Sequence, residues 1–340
     1  MNRARIASDA GFSQDAPGVN RDEEGQPPLW PGAAWSKETP SPVPGHYADP
    51  NLAVVDGRYL LFATTDGSPD WGATAFHAFT STDLLVWEDH GAVFDVRDSS
   101  WASGHAWAPG YAQANGRHYL YYTADRGSIG VAVADEATGP YIDSGRPLVA
   151  PGDFDGVAID PAVFRDHDGA HYLFWGNGVA HGVRLAPDMV SFDPDAVVSC
   201  VPEGFREAAW VHRRNDVYYL SWSVDDTRSE DYQVHYATGS APLGPWRNRG
   251  VLLSKQPERG ILATGHHSIA PGPGPDAWVI AYHRFAIPDG NGYHRELRFD
   301  LLEHGADGGL KRVELSTAPL RLPLTGAASK STRANGQGGG

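Results

Sequence analysis

The stretch HYADPNLAVVDGRYLLFAT, His46 to Thr65, sets an acid–proline pair directly before an apolar run that turns at Asp56-Gly57 and continues as a second apolar run. A charge at the mouth of a core strand is costly unless it caps a turn or carries chemistry. The choice depends on whether the pattern recurs, and it does. GRYLLFATT from Gly57, GRHYLYYTA from Gly116, GAHYLFWGN from Gly169, DVYYLSWSV from Asp216 and DAWVIAYHR from Asp276 resemble one another, and their starts lie 59, 53, 47 and 60 residues apart. Ahead of each, by 8 to 10 residues, stands an anchor: Asp49, Trp107, Asp160, Glu207 and His266. A period near 50 residues marks a repeat architecture.

Each unit reads as four short strands. The first follows the anchor (NLAVV, PAVFR, AAWVH), and a tight turn leads to the aromatic-rich second. The third follows (TAFHAFTS, IGVAVAD, HGVRLAP, YQVHYAT), then an aromatic turn and a short last strand (AVFD, PLVA, VLLS). Short β-branched and aromatic runs punctuated by Gly, Pro, Asp and Asn are strand and hairpin signals. Sustained helical periodicity with caps is absent. Tandem four-stranded units predict an all-β, five-bladed β-propeller with four antiparallel strands per blade. The expected organisation is an N-terminal extension over 1–40, partly disordered, the propeller over 41–322 and a flexible tail over 323–340. In a propeller the start of strand one, the end of strand two and the start of strand three share one rim. Five anchors therefore converge on one rim near the axis. Any single Asp before Pro reads as a turn residue, but three carboxylates at matching places in three repeats read as a site.

Forty-two acidic against 27 basic residues give the 340-residue chain a net charge of −15. That disfavours nucleic acid and anionic membrane as partners and suits a neutral oligosaccharide or glycoside. Most of the 11 Trp and 14 Tyr are expected to pack between blades, and a few to stack on sugar rings. The lone cysteine, Cys200, excludes an internal disulfide and any multi-cysteine metal site. Residues 1–30 hold no apolar run, so a cytoplasmic location is expected, or a secreted one if a leader has been removed.

The motifs ADP (Ala48–Pro50), WAP (Trp107–Pro109), IDPAVFRDHDGAHYLFWG (Ile159–Gly176), EAAWVHRRNDVYYLSWS (Glu207–Ser223) and TGHHS (Thr264–Ser268) are each short, but all five fall at repeat-defined positions. On these residues, from about Gly45 to Val313, the chain resembles glycoside hydrolase family 43. The resemblance implies an inverting hydrolase of α-L-arabinofuranosides or β-D-xylosides on a five-bladed propeller. It makes Asp49 the general base, Glu207 the general acid and Asp160 the residue that orients the acid and tunes its pKa. The chemistry agrees: inversion needs one carboxylate to activate water and one carboxylic acid to protonate the leaving oxygen, roughly 6.5–9.5 Å apart. Glu203, in PEGFREAAW, competes for the acid's place, but Glu207 keeps the repeat spacing to VYYLSWS.

The resemblance also implies that His266 either bonds the site or supports a central calcium through water, with His267 as its neighbour and alternative. Lacking a clustered carboxylate loop, such an ion would be mostly water-ligated and structural. No cofactor is required by the implied chemistry, and no zinc-like Cys/His cluster is present. Further candidates for substrate binding are Trp107 as the aromatic platform, Arg284 and Arg295 from the strand ends that share the rim, and His46. For Arg295 a structural ion pair with Glu296 or Asp300 is an equal alternative. Trp71, Trp101 and Trp175 are pocket walls or packing, and His105 is a lining residue.

The leading activity is release of terminal arabinofuranose by exo action, followed by β-xylosidase or galactofuranosidase. The absence of residues for a C-terminal β-sandwich after the propeller favours arabinofuranosidase. An endo-arabinanase would need an open groove, whereas long insertions after Ser68 and Asp98 would wall a pocket. A non-catalytic sugar-binding propeller would tolerate loss of a carboxylate, and a protein-interaction propeller would not gather carboxylates at all.

Overall fold

The structure, a computed structural model, describes residues 41–316 and 318–324. The expected N-terminal extension over 1–40 and the tail beyond 324 lie outside the described residues. Nineteen strands form five antiparallel sheets, one per predicted unit. Blade one comprises β1 (Tyr47–Val55), β2 (Arg58–Thr65), β3 (Ala75–Ser81) and β4 (Trp87–Asp95). Blade two comprises β5 (Trp107–Ala114), β6 (Arg117–Ala124), β7 (Ser128–Ala134) and β8 (Ile142–Asp143). Blade three comprises β9 (Ala162–Arg165), β10 (His171–Trp175), β11 (Ala180–Arg184) and β12 (Val198–Cys200). Blade four comprises β13 (Phe205–Arg214), β14 (Val217–Val224), β15 (Gln233–Gly239) and β16 (Arg247–Leu253). Blade five comprises β17 (Gly265–Pro271), β18 (Trp278–Phe285) and β19 (Arg295–Leu302).

The fifth sheet has three strands among the described residues. In place of a regular fourth strand, the chain doubles back through a bridge between His304 and Leu310, and the Val313 amide bonds the Leu252 carbonyl of blade four. Leu310, Val313 and Leu315 are thereby buried between blades four and five. The chain then reaches blade one, where the Leu322 and Leu324 amides bond the Asp83 and Thr82 carbonyls.

The second strands explain why the repeat shows as near-continuous apolar runs. Leu60 and Phe62 face blade two, whereas Tyr59 and Leu61 face blade five. In β6, Leu120 and Tyr122 face blade one and Tyr119 and Tyr121 face blade three. With both faces buried, strand alternation has no polar side to display. Five hydrophobic clusters fill the five blade–blade interfaces, the last joining Val279, Leu297 and Phe299 of blade five to Leu52, Leu61 and Phe79 of blade one. Among the described residues no strand ladder crosses that seam; packing closes it together with single hydrogen bonds such as Leu52 N–H to Ser268 Oγ at 2.9 Å.

The first two hairpins use turn residues suited to left-handed backbone: Asp56-Gly57 at φ 48° and 73°, and Asn115-Gly116 at φ 55° and 72°. Gly110 serves a different purpose. A Cβ there would stand 2.3 Å from the Pro161 carbonyl oxygen, so its absence lets blade two approach the backbone of blade three. Gly110→Ala is expected to destabilise the protein by about 2 kcal/mol, because backbone must give way. Gly116→Ala, in open space, should cost about 1 kcal/mol of turn strain. Urea unfolding of both variants distinguishes the two mechanisms.

Candidate active site

Every first strand makes the same excursion where it enters the rim. Asp49, Ala108, Asp160, Ala208 and His266 have φ between 42° and 60°, a left-handed conformation uncommon in residues other than glycine. In blades one, two, four and five the ladder skips beside them, between Ala48 and Asn51, Trp107 and Gly110, Glu207 and Trp210, and Gly265 and Ser268. This is a β-bulge, a device that re-aims side chains beside active sites. The structural repeat therefore aligns Ala108 and Ala208 with Asp49, Asp160 and His266, and places Trp107 and Glu207 one residue earlier.

The bulged amides turn sideways toward the neighbouring blade. Ala108 N–H donates to Thr64 Oγ at 2.7 Å, Asp160 N–H to Thr123 Oγ at 3.0 Å, and His266 N–H to Ser223 Oγ at 2.9 Å. Asp49 N–H donates to His283 Nδ1 at 3.2 Å, across the seam between the fifth and first blades. All four acceptors stand opposite the residue before a bulge, at the end of a second strand. At the remaining junction the blade-three position is Gly176, which has no side chain, and the Ala208 amide instead supports the Asp160 carboxyl.

Asp49 is almost wholly buried, and its two oxygens meet different partners. Thr64 Oγ donates to Oδ2 at 2.7 Å, while Arg295 Nη1 approaches Oδ1 at 3.3 Å and His266 Nδ1 lies 3.2 Å away. Burial alone would push this carboxyl up, but its neighbours, His266 and Arg295 foremost, hold it well below the usual carboxylate range. Of these, Arg295 is the permanent cation. His266 and His283 are themselves pushed down by burial, His283 to about 4, so both rings are neutral near pH 7. A neutral His283 has a lone pair with which to accept the Asp49 amide. Arg295 is fixed in turn by Asp66, to which its Nε donates at 2.8 Å and its backbone amide at 3.0 Å, and its Nη1 also reaches Thr227 Oγ at 3.1 Å. The ion pair of Arg295 is thus with Asp66 and Asp49, not with Glu296 or Asp300.

Glu207 faces the opposite influence. Tyr232 OH donates to Oε1 at 2.9 Å and Asn177 Nδ2 to Oε2 at 2.7 Å. Burial raises its pKa, with repulsion from Asp49 and Asp226 adding, against the pull of Tyr232 and Arg206. Asp160 is raised strongly, first by burial and then by repulsion from Glu207 and Asp49. Donor atoms of Asp160, Glu207 and His266 lie within 4.8 Å of one another. Two carboxyls this close in a buried site resist simultaneous ionisation. The site thus sets one carboxyl pushed below the usual range against two pushed above it.

The remaining candidates divide. Trp107 stands on the outer wall, donating its indole N–H to the Trp71 carbonyl at 2.7 Å and packing edge-on against Trp71. Trp71 lies against Tyr293, with ring centroids 4.5 Å apart, and donates to the Gly292 carbonyl at 2.8 Å. His105 adds its ring to Trp107, and Asp70 pairs with Arg126 beside them. The insertion after Ser68 therefore builds a wall. His46 is an exposed rim residue that packs edge-on against the His294 ring. Arg284 belongs elsewhere: its guanidinium pairs with Glu296 at 2.8 Å inside blade five, because strand alternation gives the site side to its neighbour His283. Trp101 stacks on Tyr122 and donates to Asp143, and Trp175 is buried against His181; both are packing. Glu203 is exposed and takes a hydrogen bond from Asn248 at 2.6 Å, so Glu207 is the glutamate of the site.

The chain matches the family model for glycosyl hydrolases family 43 over residues 39–310. It belongs to that family. Among characterised relatives, the β-D-galactofuranosidase xynD of Aspergillus niger is 32% identical over 291 residues, covering 80% of this chain and 84% of that one. The xylosidase/arabinosidase of Bacteroides ovatus is 30% identical over 328 residues, covering 80% and 96%. Among solved structures, the GH43 β-xylosidase/α-arabinofuranosidase CoXyl43 from a compost metagenome, in complex with xylotriose and calcium-free, superposes with a TM-score of 0.69 at 28% identity over 81% of this chain and 97% of that one. The family 43 chain is a glycoside hydrolase.

The central calcium does not fit the residues on this axis. The axial cavity bordered by Asp160, Trp210 and His267 measures about 20 Å³, room for roughly one water and not for a hydrated cation. Of the three unpartnered atoms around it, only Asp160 Oδ2 is an oxygen; Trp210 Nε1 carries a hydrogen and cannot ligate, and His267 offers nitrogen. Calcium takes six to eight oxygens. The partners of Glu207 generate a clear expectation. Tyr232→Phe removes a donor that favours the ionised carboxylate, so the Glu207 pKa should rise by roughly one unit, read by carbon-13 NMR of glutamate-labelled protein. An unchanged or lowered pKa would contradict this account of the site.

Proposed function

We propose that this family 43 hydrolase is an inverting, exo-acting α-L-arabinofuranosidase acting on arabinan or arabinoxylan oligosaccharides. The observation that carries the mechanism is the opposed electrostatics of two carboxyls in one buried site. Asp49, held ionised by Arg295 on Oδ1 and oriented by Thr64 on Oδ2, is the general base that takes a proton from water. Glu207, raised by burial, is the general acid and protonates the leaving oxygen, while Tyr232 and Asn177 hold its orientation. Asp160, itself pushed up by burial and by Glu207, stands within 4.8 Å of the acid and orients and tunes it. Water attacks as the glycosidic bond breaks, its proton passing to Asp49 as that of Glu207 passes to the departing alcohol, so configuration inverts. The aromatic wall of Trp71, Trp107 and Tyr293 supports a pocket for one terminal sugar. A furanoside is supported by similarity to a β-D-galactofuranosidase, and to the arabinoxylan arabinofuranohydrolase of Bacillus subtilis at 30% identity. The former also favours terminal β-D-galactofuranose as the second reading.

A panel of nitrophenyl glycosides tests the sugar: the α-L-arabinofuranoside should turn over fastest, and preference for the β-D-galactofuranoside or β-D-xyloside would replace the reading. Asp49→Asn should lose roughly 10²–10⁴-fold on every substrate, since water must be activated whatever leaves. Glu207→Gln should lose much more on a natural arabinoside linkage than on a nitrophenyl glycoside, whose leaving group departs without protonation. Proton NMR should show the first-formed sugar as the anomer opposite to the substrate; retention would overturn the mechanism.

The pH profile follows from the same shifts. With Asp49 depressed and Glu207 raised, kcat/KM should fall on the acid side only below the usual carboxylate range, and on the basic side above it. Removing the cation with Arg295→Met leaves burial at Asp49 opposed only by neutral partners, His266 and Thr64, so the acid limb should move up by roughly 1–3 pH units while the basic limb stays. Movement of the basic limb alone would reverse the assignment of base and acid.

A further inference from the structure

A cavity of about 360 Å³ opens where β9, β13 and β17 end, on the propeller face opposite the carboxyl cluster. Along β13, Arg213 on its rim lies six residues beyond Glu207, about 20 Å at strand rise. Half-buried indoles of Trp210 and Trp278 line it, together with His212, Arg213, Asp166 and His167. Trp210 Nε1, His212 Nδ1 and Arg213 Nε are sealed behind this lining, which leaves the part-exposed Arg213 guanidinium and the exposed His167 ring as its reachable polar side chains. Asp166 accepts from Tyr218 OH at 2.8 Å and the His167 amide at 2.7 Å, and Arg213 Nη1 lies 3.5 Å away, so a carboxylate balances the arginine.

We infer that this pocket is a second carbohydrate-binding site, which holds a polysaccharide chain while the carboxyl site works on a chain end. Aromatic walls with a few polar groups are the general composition of a small-molecule pocket. Two indoles offer apolar faces on which sugar rings stack, and the carboxylate that balances Arg213 selects a neutral polyhydroxylated ligand over an anion. Trp210 also borders the axial cavity beneath the carboxyl cluster, so the two sites share one side chain across the axis. The inference rests on the reading of the enzyme as acting on arabinose-bearing polymers.

The test is affinity electrophoresis of the full chain carrying Asp49→Asn, in gels containing arabinan or arabinoxylan, with L-arabinose added to occupy the carboxyl site. Retardation should persist with arabinose present and weaken about tenfold on adding Trp278→Ala or, separately, Arg213→Ala. In the otherwise wild-type enzyme the same two substitutions should leave kcat/KM on the nitrophenyl arabinoside within about twofold, which also shows that the variants fold. Retardation abolished by arabinose, absent in both polymers or unchanged by both substitutions would overturn the second site. Failure of the wild-type enzyme to hydrolyse the arabinoside would instead overturn the reading on which it rests. The two failures are therefore distinguishable.

Discussion

The amide at each blade's bulge is the constraint on which the rest depends. A blade's first strand can reach the axis only if the chain leaves the ladder there, and leaving it strands a buried N–H that must find an acceptor. Thr64, Thr123, Ser223 and His283 supply acceptors from the preceding blade, so adjacent blades are joined at the point where their functional residues emerge. Propeller closure and active-site assembly are consequently one event. The seam between blades five and one is closed at the rim by Asp49 itself, the residue that carries the depressed carboxyl.

Left-handed backbone at non-glycine residues costs on the order of 1–3 kcal/mol each. Packing of the five interfaces over-determines these positions, which is how the conformation persists. The return lies in direction: at the bulge Asp49, Asp160 and His266 turn toward the axis, whereas Glu207, one residue before it, comes from the adjoining position. Asp49 and Glu207 thus approach from inequivalent places in their repeats. That asymmetry lets Arg295 contact Asp49 while Tyr232 and Asn177 serve Glu207. One fold element creates two electrostatic environments, and the pKa values separate as acid–base chemistry requires.

The propeller was legible because strands buried on both faces leave long apolar runs that recur every 47 to 60 residues. Asp49, Asp160 and Glu207 were legible as anchors, although the uniform spacing concealed the one-residue offset of Glu207 and Trp107, which only the bulge reveals. Arg284 and Arg295 were indistinguishable in sequence: both stand at the site end of their strands. Alternation decides between them, sending His283 and Arg295 to the rim and Arg284 to Glu296. The partners Asp66, Asn177, Thr227 and Tyr232 come from loops and strand ends whose trajectories no period encodes. A signal did exist for the acceptors, since the hydroxyls of Thr64, Thr123 and Ser223 close the three corresponding second strands, but attention to charge passes over hydroxyls.

The wall residues obey a different logic from the ring. Trp71 comes from the insertion after β2 and Tyr293 from the connection before β19, and their contact with Trp107 requires no bulge and no inter-blade amide. Such loops can change length or sequence without breaking the closure that positions Asp49 and Glu207. The chemistry is therefore held by the repeat, and substrate choice by segments outside it. This separation gives a physical reason why relatives named for galactofuranosides, xylosides and arabinosides share one propeller. In this chain the repeat fixes the opposed pair Asp49 and Glu207, while Trp71, braced between Tyr293 and Trp107, belongs to segments that are free to differ.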